Sequence, residues 1–336
     1  MSSLSDEHVK AALAAVESPE IANRDKIDLL IEVAMGLQRK PRSVHDLHHA
    51  VSLYDRALTL SAEEEALLTA RIQARKGTAL NAIPYEGAEF VEQARQLFES
   101  ALAGFQHGGL LEEIAEAEMN LGLALHTLAS AGRARIADAI GAYLRALRTF
   151  TREAHPTEYA ILHNNLATAY LSLPMTEPSG KMREALAVQS FEEALTVVTL
   201  VDQPVEYAML QNNLGNALQY ASSSHSVENN LRAIVAYDEA LKVRTPADTP
   251  IEYANTISNK ANALRNLPDE PSRPEQGNRR NLEQAIRYLE EAKELFERFG
   301  DTSKVRVTGE VLNELRQELE ALVEADMLAS TNDGAA

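Results

Sequence analysis

One apolar frame returns six times along the chain, and that recurrence constrains the fold more than any single motif. The frame is an alanine, an aromatic or leucine four positions on, and a second alanine three positions after that. It reads Ala50/Tyr54/Ala57, Ala94/Phe98/Ala101, Ala139/Tyr143/Ala146, Ala187/Phe191/Ala194, Ala233/Tyr237/Ala240 and Ala285/Leu289/Ala292. Its final alanines step by 44, 45, 48, 46 and 52 residues. Residues four and seven apart share one face of a helix, and small residues at fixed places let two helix backbones approach closely. Upstream of each frame lies a second, a small residue followed three positions later by Leu or Tyr: Ala34/Leu37, Gly77/Leu80, Gly122/Leu125, Ala167/Tyr170, Gly215/Leu218 and Ala261/Leu264. Each unit therefore reads as a helical hairpin. A lone hairpin cannot bury its apolar face, so its neighbours must supply the rest of the core.

Punctuation agrees with the periodicity. "PTEYA", "PVEYA" and "PIEYA" put Pro156, Pro204 and Pro250 at the first position of a helix, with Glu158, Glu206 and Glu252 near its positive end. Pro174 and Pro268 follow "LSL" and "RNL" and end helices there. The predicted organisation is an all-α chain: a capping helix over 1–18, an array over 19–300 in units of about 19–61, 62–107, 108–153, 154–201, 202–247 and 248–300, a second cap over 301–329, and a disordered tail over 330–336. The second cap carries an apolar stripe of Val311, Leu315, Leu319 and Leu322. A polar-faced end helix is what a stack of repeats needs to cover its last unit.

These frames resemble the tetratricopeptide repeat family, over roughly residues 20–299. The "PxEYAxxxNNL" units are similar to the longer bacterial repeats, often found beside caspase-like protease domains, and to those of kinesin light chains. The resemblance implies a right-handed α-solenoid whose first helices line a concave groove. Two departures stand out. From small residue to first frame alanine the family takes about 12 residues of its ~34-residue repeat, whereas this chain takes 16, 17, 17, 20, 18 and 24. The extra length falls in the turn within each hairpin, and Lys76 and Lys260 stand where the family prefers Leu. Those lysines are expected to lay their stems along the core, or to loosen packing there.

"HNNLATAY" and "QNNLGNAL" then raise a question, because Asn costs a helix a few tenths of a kcal/mol relative to Ala. With Ala167, Gly215 and Ala261 packed inward, a shared ridge holds Asn164, Thr168, Leu171 and Ser172, then Asn212, Asn216, Gln219 and Tyr220, then Ser258, Asn262, Arg265 and Asn266. Asn165, Asn213 and Asn259 lie about 100° round the helix and border the same groove. An amide offers donors and an acceptor, so a row of them can hold the backbone of a peptide whatever its side chains. Asn255 joins this set, and Met209, Tyr220 and Arg265 are the neighbours that would select sequence. The alternative is structural: each Asn satisfies a group on the adjoining repeat.

Other chemistry is thinly represented. "HDLHH" sets His45 and His49 four apart with Asp46 between them, a weak metal candidate; Ser43 or Asp46 capping the helix is the simpler reading. Arg71, Arg75 and Lys76 form a positive spot, yet the Lys, Asn and Arg order with which some family members clamp a peptide carboxylate is not met. Cysteine is absent, which removes disulfides, thiolate metal sites and a thiol nucleophile. No GxxxxGK[ST], GxGxxG, HExxH or GxSxG pattern occurs. With 32 basic and 50 acidic residues the formal charge is −18, which repels nucleic acid and anionic membrane and attracts basic partners. The opening "MSSLSDEHVKAALAAVESPE" lacks the basic-then-apolar signature of a signal peptide, and the expected location is cytoplasmic. The sequence thus points to a noncatalytic scaffold without cofactors that holds a protein or peptide partner in its groove, does not bind nucleic acid or membrane, and has an oligomeric state the sequence does not specify. An assembly chaperone for an enzyme complex, or a regulatory subunit of a separate protease or transcription regulator, would use the same surface.

Overall fold

The computed structural model describes residues 4–61, 66–84, 88–174, 179–221 and 226–333. They are all-α, with no strand among the described residues. In chain order the helices are α1 (Leu4–Val16), α2 (Asn23–Arg39), α3 (Val44–Ser61), α4 (Ala66–Asn81), α5 (Ala88–Phe105), α6 (Leu111–Ser130), α7 (Ile136–Ala146), α8 (Pro156–Leu171), α9 (Ser179–Leu195), α10 (Pro204–Tyr220), α11 (Ser226–Leu241), α12 (Pro250–Arg265), α13 (Arg279–Arg298) and α14 (Thr302–Asp333). A single 3-10 turn, Pro274–Gln276, sits in the long α12–α13 connection.

Two compact units divide the chain, 1–172 and 173–336. In the first, α2 packs on α3, α4 on α5 and α6 on α7, with α1 against α2 at one end and α8 against α7 at the other. In the second, α10 pairs with α11 and α12 with α13, while α9 lies against α10 and α14 against α13. Successive hairpins stacked in this way are the arrangement of an α-solenoid, and each unit has it. The fourth expected hairpin straddles the boundary, with α8 in the first unit and α9 in the second.

The repeat frames form the core. Every frame alanine is fully buried, and so are the rings of Tyr54, Tyr143 and Tyr237. The upstream small residue faces the frame aromatic of its own hairpin. A Cβ added at Gly77, Gly122 or Gly215 would approach ring atoms of Phe98, Tyr143 and Tyr237 to 2.9, 2.5 and 2.5 Å. Glycine at these positions trades helix propensity for a close helix–helix contact.

Helix ends follow the sequence signals. α8, α10 and α12 begin on Pro156, Pro204 and Pro250. α8 and α12 end at Leu171 and Arg265, ahead of Pro174 and Pro268. α14 buries Leu312 and Leu315 against the last hairpin, with Val311 and Leu322 packed alongside. Leu312 was not in the stripe read from sequence, and Leu319 is only half-buried. The helix continues to Asp333, so residues 330–333 of the expected tail are helical, and 334–336 lie outside the described residues. No described helix is long and apolar enough to cross a membrane.

Lys76 and Lys260 keep their stems in the packing and send their amines to carboxylates. Lys76 Nζ lies 2.5 Å from Asp55 Oδ1, and Lys260 Nζ 2.5 Å from Asp238 Oδ1. Both side chains are mostly buried, 15% and 12% exposed, so these amines leave the interior only at the tip. Each Asp follows the frame tyrosine of the preceding hairpin. The pair "Tyr-Asp" occurs in the first and fifth frames only, immediately before the hairpins that carry the lysine.

Candidate functional site

In the second unit the ridges of α10 and α12 come together through amides. Asn259 Nδ2 donates to Asn212 Oδ1 at 3.3 Å, and Asn212 is buried. Gln219 Nε2 donates to the Asn259 carbonyl at 2.9 Å and to the Tyr237 hydroxyl at 2.5 Å. That hydroxyl in turn donates to Asn216 Oδ1 at 2.8 Å. Asn212, Asn216, Gln219 and Asn259 therefore join helix to helix. The remaining ridge positions are open: Tyr220 is 72% exposed, Asn262 and Asn266 are exposed, and Met209 is 39% exposed. Asn213 and Asn255 are half-buried, and their side chains make no hydrogen bond among the described residues. Asn266 Nδ2 reaches back to the Asn262 carbonyl at 2.9 Å, leaving the Asn262 amide unengaged.

Arg265 is taken. Its guanidinium pairs with Glu314 at 3.1 Å and with Glu318, both on α14, so the last helix covers this position. The hydrogen bonds it donates to Glu318 and Glu314 raise the Arg265 pKa further.

On α8, within the first unit, Asn164, Asn165 and Thr168 are half-buried. Asn164 Nδ2 approaches Asn165 Oδ1 at 3.4 Å, and Thr168 Oγ1 donates to the Asn165 carbonyl at 2.9 Å. Asn164 Oδ1 is buried with no hydrogen-bond partner, an acceptor that water or a ligand donor would satisfy. Ser172 Oγ lies 3.4 Å from His126 Nε2 of α6, and burial holds the His126 pKa below its ordinary value.

Elsewhere in the first unit the ridge is charged. Arg71 of α4 forks onto Glu113 of α6 at 2.6 and 3.2 Å, and this contact holds the Glu113 carboxyl below the usual range. One amide tie accompanies it, Asn81 Nδ2 to the Asn120 carbonyl at 3.3 Å. Asn81 and Gln219 each stand four residues after the hairpin glycine, and Asn120 and Asn259 two residues before the next small residue. The tie is one interaction in one register, repeated. Of the positive spot, Arg71 and Lys76 are paired, while Arg75 makes no hydrogen bond or ion pair among the described residues.

His45 and His49 stack edge-on with ring centroids 5.7 Å apart. Asp46 is buried and accepts the Arg42 N–H at 2.8 Å, acting on the start of α3. Among the described residues no group of three or more His, Asp or Glu side chains is positioned to hold a metal.

Sequence reasoning missed the partner of the "PxEYA" tyrosine. Tyr207 donates to Glu239 Oε2 at 2.9 Å and Tyr253 to Glu291 Oε1 at 3.0 Å, each on the second helix of its own hairpin. A glutamate two residues after the central frame residue, Tyr237 or Leu289, was the available signal.

No protein-family model matches the sequence, and no curated protein does either. Among solved structures, the chain is similar to a crystal structure of YrrB, described as a TPR protein with an unusual peptide-binding site. Identity there is 19%, the match covers 71% of this chain and 95% of the other, and the TM-score is 0.43. It is also similar to a circular tandem repeat protein with novel repeat topology and enhanced subunit contact surfaces, at 17% identity, 96% and 77% coverage and a TM-score of 0.28.

Proposed function

We propose that this chain is a noncatalytic scaffold that holds a segment of a partner protein along the exposed side of α10 and α12. One observation carries the reading. Along α10 and α12 of the second unit some amides are consumed in ties between helices, while Asn213, Asn255 and Asn262 make no side-chain hydrogen bond among the described residues; Met209 and Tyr220 are exposed on the same two helices. Ties alone would explain Asn212, Asn216, Gln219 and Asn259. They do not explain the amides left open. Free amides satisfy peptide N–H and C=O groups, and a half-exposed Met and an exposed Tyr supply the apolar contact that backbone pairing lacks.

The experiment compares the tagged chain with two variants in affinity capture from its native lysate. Tyr220→Ala with Asn262→Ala and Asn266→Ala removes exposed groups only, and is expected to keep the fold by circular dichroism and lose the partner. Asn212→Ala breaks the buried tie and is expected to lower stability first. Undiminished capture by the folded triple variant would move the binding surface off this ridge.

A further inference from the structure

The α10 ridge also constrains what kind of segment it takes. Val205, Met209, Asn216 and Tyr220 follow one another along one side of α10, and Val201 lies in the turn that leads into it. Val201 and Val205 are 88% and 69% exposed and Met209 39%, three exposed apolar side chains spaced four apart at the start of the helix and in the turn before it. From Val205 to Tyr220 the ridge runs about 22 Å, room for roughly four helical turns of a partner.

Acidic groups border these three side chains. Glu206 is exposed and makes no hydrogen bond or ion pair among the described residues. Asp202 is exposed in the same turn, positioned by the Thr199 hydroxyl at 2.7 Å. The neighbouring hairpin repeats the arrangement, with Asp248 set by Thr245 Oγ1 at 2.8 Å and Glu252 exposed on the first turn of α12. The helix dipole accounts for a glutamate in the first turn, and Asp202 and Asp248 each close a turn by accepting from a threonine hydroxyl and donating their own N–H back to it at 3.1 and 3.0 Å; neither accounts for the exposure of Val201 and Val205. Arg244 is half-buried, donates to Thr256 Oγ1 at 2.9 Å and feels the charge of Glu252, while Lys242 is paired with Glu239.

We propose that the segment held along α10 is basic and amphipathic: apolar side chains seated on Val201, Val205 and Met209, with Lys or Arg flanks facing Asp202, Glu206, Asp248 and Glu252. This rests on the ridge of α10 and α12 being the binding surface, and adds the chemistry of its occupant. A second copy of this chain is disfavoured as that occupant, because each copy carries a formal charge of −18.

The test uses the full chain and three fluorescent helical peptides of one length, with leucines at i and i+4 and flanks of Lys, Glu or Ser. The Lys-flanked peptide is expected to bind roughly tenfold tighter than the Glu-flanked one, and Glu206→Lys with Glu252→Lys to reverse the order. Val205→Ser with Met209→Ser, which leaves the charge unchanged, is expected to abolish binding. Equal binding of the Lys peptide to that last variant would mean adsorption to an acidic surface and would overturn the proposal. So would equal affinity for all three peptides, absence of binding by the Lys peptide, or a dimer in sedimentation that the Val205/Met209 variant dissolves. None of these bears on whether a native partner is lost from the Tyr220/Asn262/Asn266 variant, so the ridge and its occupant fail separately.

Discussion

In the first unit the facing helices α4 and α6 meet through an ion pair, Arg71 on Glu113, and through one amide tie ten residues further along α4, Asn81 to the Asn120 carbonyl; in the second, α10 and α12 meet through amides, Gln219 to the Asn259 carbonyl in the register of that tie and Asn259 to Asn212 besides. The two solutions differ in what they leave over. A bidentate ion pair uses up both partners and is screened by salt. An asparagine pair such as Asn212–Asn259 satisfies one donor and one acceptor, so the same residue type can serve on the open side of the ridge. A neutral tie is also indifferent to pH. A scaffold that must recognise a backbone is better lined with amides than with paired charges.

The largest expected effect should be common to both units. Gly122→Ala and Gly215→Ala each force a Cβ to 2.5 Å from a buried tyrosine ring, and each should cost about 2–3 kcal/mol in denaturant unfolding. A marked difference between them would mean that the hairpins are not packed alike. Next come Tyr237 of the second unit and Tyr143 of the first, whose hydroxyls differ. The Tyr237 hydroxyl is hydrogen-bonded on both sides, and Tyr237→Phe should cost about 1–2 kcal/mol. The Tyr143 hydroxyl is buried with no partner, so Tyr143→Phe should be neutral or stabilising.

A smaller effect separates the ridges by pH. The Arg71 hydrogen bond lowers the Glu113 pKa in the fold, so its contribution is complete above the ordinary carboxylate value and is lost as pH falls through the lowered one. Both side chains are partly exposed, which limits the pair to about 1 kcal/mol. Amide hydrogen exchange should therefore quicken across the α4–α6 contact on acidification, and on adding salt, before it does across α10–α12. At the alkaline end burial pushes Tyr54 up to about 12, so the stability it confers is whole below about 10 and declines as pH climbs towards the folded value. Smallest of all, Lys76→Met should change stability by less than about 1 kcal/mol, since it exchanges an ion pair at the edge for an apolar tip.

Much of this architecture is legible in the sequence because it rests on spacing. The alanine frames, the glycines opposite the rings and the prolines at helix starts each act through local sterics, and each appears where the pattern put it. The site was legible in part. A period identifies which residues share a ridge, so Tyr220, Asn262 and Asn266 were found as open positions. It does not say which of two adjacent asparagines reaches the next helix, because that depends on the shift between neighbouring hairpins; Asn212 was read as a ligand and is buried against Asn259. The pairing of Arg265 was hidden for another reason. Its partners Glu314 and Glu318 are about fifty residues away on α14, outside any repeat, and no periodicity connects them. The Lys–Asp pairs were encoded all along, as "Tyr-Asp" in one hairpin ahead of a lysine in the next.

The central claim is that a partner segment lies on the first-helix ridge of the second unit, and photo-crosslinking tests it most directly. A crosslinking amino acid is placed at Asn262 on α12 or at Arg287 on α13, both exposed, in otherwise unaltered protein in its native lysate. The account predicts one discrete adduct from position 262, lost when Tyr220 and Asn266 are also changed to alanine, and none from position 287. An adduct from 287 with nothing from 262 would contradict it and assign recognition to the second helices.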